Sequence, residues 1–369
     1  MTGPGLSTAT PLDGQSPLER LLARLNSKGD LPALTSSVSK AVLGSYSETE
    51  GVQTMANNIL SDVSLTQRIL RIANSSAYRR PDAAAYTLIS KALMVIGRAN
   101  VRAIALAAAL LEGVTNKEQL AHLKMEFAKA FLASVMAREM AKSRPDANAE
   151  VLAIAALFKD LGRLLMASHD FESYKAIRDF AEANGIEEHA AAIQLLGTGF
   201  DSLGVAMMRE WHMPESIITA TLGVAAGTAD RQGASPEEWT RGAITLSAAA
   251  AKALTEPAGP ARERAFSKLL RDYGGAVSVN RLQLDALLAT AGKECLDVAH
   301  GLGLPTLVAD AKAEETDAAF AKAAAEAAGI HWRQDDGCTR ANARDTIYLG
   351  AYSSHMMCER LIPRGRVTK

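Results

Sequence analysis

The feature that most constrains this chain is the spacing of its apolar residues, which keeps a helical period along nearly its whole length. Leu65, Ile69, Ile72 and Ala73 fall at i, i+4, i+7 and i+8, a single stripe on a helix. Val101, Ile104, Ala105 and Ala108 form another, with Asn100 placed to cap it. Phe127, Phe131 and Val135 mark a third, closed before Pro145. Val151, Ile154, Ala155, Phe158, Leu161 and Leu165 predict one regular helix with Gly162 inside it. Nowhere does a run alternate apolar and polar residues as a half-buried strand does. The fold class that follows is all-α. Aromatics are only 5% of the chain, which also favours helix packing over a β-sandwich.

Other signals place the ends of elements. Leu18, Leu21, Leu22 and Leu25 form a short stripe before Gly29 and Pro32. Ser64 and Gln67 have the spacing of a capping box. Leu203, Ala206 and Met207 start a helix that Pro214 stops. Pro260 suits the first turn of a later helix, with Gly274 just past its end. Leu284, Leu287, Leu288 and Ala291 open a further helix that ends near Gly301. Residues 331–345 read as a loop. Three domains are expected: a tail over 1–16, a helical domain over 17–230, and a helical extension over 231–369. The chain turns polar from Gly227 to Pro236, and a protease should cut first in the tail, around 228–236, or in the loop at 331–345.

At 369 residues, the chain has 40 basic and 41 acidic side chains, a formal charge of −1. No general nucleic-acid binding is expected, because no net basic field exists to hold a phosphate backbone. Cys295, Cys338 and Cys358 form neither a close pair nor an even framework, which fits a reducing compartment. The start, MTGPGLSTATPLDGQ, lacks a secretory signal, and the longest apolar run, Ala103 to Leu111, is far short of a membrane span. The expected location is cytoplasmic, with no membrane contact.

Five segments in order carry a resemblance. They are LPAL at 31–34, ILSDVSLTQRILRIANSSAYRRP at 59–81, TLISKALMVIGRANVRAIALA at 87–107, ALFKDLGRLLM at 156–166, and GFDSLGVAMMREWHMPESI at 199–217. Together they make residues 26–228 similar to the HDOD family. That resemblance implies an HD-like helical bundle preceded by a smaller N-terminal helical subdomain, and a role in bacterial signal transduction.

It also indicates where a metal site would be. An HD phosphohydrolase needs imidazoles and carboxylates converging on metal. Placed on that pattern, Lys129 stands at the first histidine position, Lys159-Asp160 replaces the His-Asp pair, and Asp201-Ser202 lies where another histidine is expected. A protonated lysine has no lone pair to give a metal. The expected site is thus a degenerate HD pocket of Lys129, Lys159, Asp160, Arg163, Asp201 and Ser202, with no catalytic residue, no metal and no cofactor. Asp160 reads foremost as an ion-pair partner of Lys129, Lys159 or Arg163.

Two histidines invite a different reading. His169-Asp170 is an HD dipeptide, but it falls near a helix end and reads as a solvated cap. His189 adjoins Glu187 and Glu188, yet neighbours on a helix point in different directions. Phosphate-loop and nucleophile-elbow motifs do not occur. Arg79-Arg80 and the segment Arg360 to Lys369 are basic and read as solvated surface. The leading expectation is a non-catalytic signalling module acting through contacts with other signalling proteins. A sensor that binds an anion or nucleotide through Lys129, Lys159 and Arg163 is the alternative, and a divergent metal-dependent phosphohydrolase the second alternative.

Overall fold

The computed structural model describes residues 16–27, 52–75, 78–79, 85–111, 114–224 and 235–308, with the backbone of 332–335, 338–341 and 348–350. The LPAL segment, Arg80-Pro81, most of 227–236, Cys358 and the basic segment at 360–369 lie outside the described residues.

Fifteen helices run through the described part. Helix α1 is Pro17–Ser27, and α2 (Val52–Leu60), α3 (Val63–Ala73) and α4 (Ile89–Ile96) pack on one another as a small N-terminal subdomain. Then follow α5 (Arg98–Leu111), α6 (Lys117–Ala141), α7 (Ala149–Phe158), α8 (Leu161–His169), α9 (Phe171–Asn184), α10 (Glu188–Leu196), α11 (Phe200–Glu210) and α12 (Glu215–Thr221). Beyond residue 235 come α13 (Pro236–Ala253), α14 from Pro260 through a π turn to Val277, and α15 (Arg281–Leu302). The long helix α6 is the axis: α7, α8, α13 and α15 all pack against it. Its buried set includes Phe127, Phe131, Val135 and Met140.

The all-α class holds for this body, and Leu65, Ile69, Ile72, Ile104, Phe131, Ile154, Phe158 and Leu161 are all buried as the stripes require. The motif Ile72-Ala73-Asn74-Ser75 has a physical cause. Asn74 takes a hydrogen bond from the Tyr86 amide at 2.7 Å and donates to the Tyr86 carbonyl at 2.9 Å. That pair of bonds fixes the return of the chain into α4.

Several boundaries differ from expectation. Asp62, not Ser64, caps α3, because its carboxylate reaches the Leu65 amide at 2.9 Å. Asn100 does not cap α5. The helix begins at Arg98, and Asn100 is buried inside it, donating to the Ile96 carbonyl and to Glu294 on α15. The single helix expected from Val151 to Leu165 is two, α7 and α8. Asp160, at φ −104° and ψ 26°, leaves helical geometry between them. Gly274 does not end its helix, which passes through the π turn and stops at Ser278 in the left-handed region. Residues 332–335, 338–341 and 348–350, partly inside the expected loop, form a three-stranded antiparallel sheet in the order β1-β2-β3. These strands are too short for a period of two to stand out in the sequence.

The glycine in ALFKDLGRLLM is fixed by a close approach. A Cβ on Gly162 would sit 1.9 Å from the Phe200 carbonyl oxygen, and one on Gly204 would be 3.1 Å from the Gly162 nitrogen. Helices α8 and α11 thus meet backbone to backbone.

The core does not stop at the expected boundary near 230. Trp239, Ala243, Ile244, Leu246, Phe266 and Leu284 join the same buried cluster as Phe127 and Phe131. Arg138 on α6 also bonds both Asn100 and Glu294, tying α5, α6 and α15 together. Among the described residues no single helix is long and apolar enough to cross a membrane.

Three outcomes are expected. Ile69→Ala and Ile154→Ala should each lose roughly 2–5 kcal/mol in urea unfolding, since both side chains are buried. Gly162→Ala should also destabilise, although the same change in an open helix interior gains about 1 kcal/mol. Ending the chain at residue 230 should remove cooperative unfolding, because it bares the α6 face that α13 and α15 cover.

Candidate functional site

The expected pocket centres on a residue that did not figure in it. Glu126 lies on α6, one turn before Lys129, with its side chain 6% exposed. Lys129 Nζ is 2.7 Å from Glu126 Oε2, and Tyr174 OH on α9 donates to Glu126 Oε1 at 2.7 Å. Arg163 Nε on α8 is 3.9 Å from the same carboxylate. Burial by itself would raise the Glu126 pKa. The charges of Lys129 and Arg163, with the hydrogen bonds from Lys129 and Tyr174, outweigh it and hold the pKa at about 2.

Arg163 continues the chain of contacts. It pairs with Glu188 on α10, and its guanidinium lies over the Phe200 ring at 4.8 Å. Burial works against its charge, but Glu126, Glu188 and Asp160 raise its pKa further, so it stays cationic. Glu188 in turn is 3.6 Å from Arg178 Nε. Burial would raise the Glu188 pKa, while Arg163 lowers it below the usual range. Arg178 also contacts His122 Nδ1 at 2.6 Å. Since an arginine can only donate, Nδ1 is the acceptor and His122 is neutral. Burial first and Arg178 second hold the His122 pKa down.

Each expected residue can now be placed. Lys129 and Arg163 meet on Glu126. Lys159, 12% exposed, ends α7 and has its Nζ 3.8 Å from Asp201 Oδ2, while the Asp201 side chain is half exposed. Asp160 stands at the N-terminus of α8 without a capping hydrogen bond, and its charge acts on Arg163. Ser202 is exposed and makes no side-chain hydrogen bond among the described residues. The structure therefore brings Lys129 and Arg163 together on Glu126, with Asp160 acting on Arg163, keeps Lys159 and Asp201 as a separate pair, and leaves Ser202 exposed.

Glu126, Tyr174, Arg178 and Glu188 complete the site. One signal for Glu126 was in the sequence, its i, i+3 spacing to Lys129. Tyr174 and Arg178 come from a helix with no fixed sequence distance to α6.

The two other histidines also resolve. Asp170 is not a solvated cap. Its side chain is fully buried, and its Oδ2 is 2.8 Å from Arg24 Nη2 on α1. The sequence could not show that α1 would fold over this turn. Glu187, Glu188 and His189 diverge as expected: Glu187 turns to Lys252, Glu188 to Arg163, and His189 lies against Gly199. Among the described residues no group of three histidine, cysteine or acidic side chains is arranged to hold a metal ion.

The chemistry of this arrangement is self-neutralising. Lys129, Lys159, Arg163 and Arg178 face Glu126, Asp160, Glu188 and Asp201, four cations against four carboxylates. The lysines give a metal no lone pair, and Glu126, Glu188 and Asp201 already have cationic partners.

Comparison with known proteins identifies the family and the fold. The HDOD domain family profile matches residues 31–225. A solved protein from Shewanella amazonensis SB2B, named a candidate phosphohydrolase, is 19% identical. The match covers 76% of this chain and 97% of that one, at a TM-score of 0.54. An HDOD domain protein with unknown function from Geobacter sulfurreducens is 17% identical, over 76% of this chain and 98% of that one, at 0.50. These likenesses establish the fold. No curated protein matches the chain.

A pH dependence follows from Glu126. Its pKa is lowered on folding, from 4.5 to about 2, so its contribution to stability is complete above about pH 5.5. It is lost as the pH falls through the window from 4.5 to 2. Unfolding free energies measured between pH 7 and pH 2.5 should fall along this limb. In Glu126→Gln, stability at pH 7 should drop by roughly 3–5 kcal/mol, and the limb should flatten.

Proposed function

The chain belongs to the HDOD family, and from that premise we propose that it is a non-catalytic, cytoplasmic signalling module that works through contacts with other signalling proteins. The observation that carries this reading is the state of the two lysines at expected metal positions: each is engaged by a carboxylate of the chain itself. Lys129 is held by Glu126 at 2.7 Å and Lys159 faces Asp201 at 3.8 Å. A site closed by its own ion pairs has no donor set for a metal and no activated water, so hydrolysis of a phosphate ester lacks its reagent. What the bundle retains is a rigid helical surface, which is what a docking module requires.

The same pairing weighs against the sensor reading. An anion or nucleotide bound by Lys129, Lys159 and Arg163 would have to displace Glu126, Glu188 and Asp201 from them. The balance of four and four leaves no excess positive charge to attract it. The phosphohydrolase named among the structural relatives shares the fold, and a fold hosts many functions.

The test is direct. Purified protein should hold no stoichiometric Mn²⁺, Mg²⁺ or Fe²⁺ after dialysis, and should not turn over nucleotides, phosphodiesters or cyclic dinucleotides. Activity that vanishes in Asp160→Ala would overturn the proposal. Lys159→Glu places a carboxylate opposite Asp201. It should weaken capture of a partner from the native host at unchanged helical content, and loss of stability alone would make Lys159 a purely structural ion pair.

A further inference from the structure

A groove of about 1030 Å³ opens beside the buried site, with His122, Tyr174, Arg178 and Glu188 in its lining. One wall is α9 with the turn into α10. The other is the end of α13 with α14. Ile186, Ala249, Ala253, Leu269 and Tyr273 give it an apolar lining. One ion pair crosses it, Lys252 to Glu187 at 3.3 Å.

Its charge is one-sided. Seven carboxylates and four cations line the groove, a formal balance of −3 with His122 neutral. Lys175, Arg178 and Lys252 are committed to Glu118, Glu188 and Glu187. Asp179, Glu182 and Glu256 make no ion pair among the described residues, and Asp179 and Glu182 are exposed. The complement to this surface is a short segment carrying several cations, no anion and one or two apolar residues. The chain contains such a segment. Arg360-Leu361-Ile362-Pro363-Arg364-Gly365-Arg366-Val367-Thr368-Lys369 has four cations, no acidic residue, and Leu361-Ile362 as an apolar pair.

We propose that this acidic groove is the docking site of the chain's own basic segment, residues 360–369, within the same molecule. The apolar pair would lie on the lining between Ile186 and Leu269, with arginines against Asp179, Glu182 and Glu256. The groove adjoins the degenerate HD pocket: Lys129, Lys159 and Arg163 are not in its lining, while Tyr174, Arg178 and Glu188 belong to both. A segment held there competes in cis with any basic partner segment for the same carboxylates.

Zero-length carbodiimide coupling of the full-length protein, read by mass spectrometry, tests this. Lys369 should form an amide with Asp179, Glu182 or Glu256. The yield should fall at about 1 M salt, where screening shortens to about 3 Å. Arg364→Glu with Arg366→Glu should lower the yield by roughly tenfold. Adding Asp179→Arg with Glu182→Arg should restore coupling to the remaining Glu256. All four sites are substituted without touching a buried side chain of the described core, and circular dichroism confirms the fold. Coupling of Lys369 only outside the groove, or a yield indifferent to the arginine reversals, would overturn the proposal. So would cross-links between labelled and unlabelled copies in a mixed sample, since the occupant would then be a second molecule's segment. Either result leaves the signalling proposal standing, because that rests on metal and turnover measurements, in which Asp179, Glu182 and Glu256 take no part.

Discussion

A carboxylate buried on the central helix of a bundle must be neutralised or it will not stay charged. Much of this architecture can be read as the solution to that constraint at Glu126. Its helix, α6, is the element against which α7, α8, α13 and α15 pack. Neutralising it takes a lysine from its own helix, an arginine from α8 and a phenol from α9. Three elements are thus held at fixed distances around one charge. Replacing such a cluster by apolar residues often costs little, whereas removing one member leaves an uncompensated charge. The cluster therefore specifies the arrangement of α6, α8 and α9 more than it adds to stability.

The second determinant is steric. Gly162 and Gly204 let α8 and α11 meet at backbone contact. That contact sets Phe200 under the Arg163 guanidinium. It also brings Asp201 within reach of Lys159. Electrostatics and packing act on the same few residues, and Lys129, Arg163 and Lys159 each end up facing a carboxylate of the chain. Glu188 and Arg178 form part of the wall of the acidic groove.

The helices were legible because burial on one face imposes a period of 3.6 that survives in any context. Boundaries were less so. Asp62 displaced Ser64 as a cap because two capping residues stood within one turn, and only geometry chooses between them. Asn100 looked like a cap because asparagine usually is one. Its actual partners include Glu294, 194 positions away. The break at Asp160 was hidden by an apolar pattern that runs on through it, since α7 and α8 are both buried.

The sequence by itself determined that this chain is helical and which residues form the stripes of its core. Those are properties of residue type and local spacing. Only the tertiary structure decided what became of the lysines. Whether Lys129 and Lys159 form an open basic pocket or a closed set of ion pairs depends on which carboxylates arrive from other helices. Glu126 lies three residues from Lys129, but Glu188 and Asp201 lie 25 and 42 positions from Arg163 and Lys159. Their approach is fixed by helix packing, a long-range effect that no local pattern records.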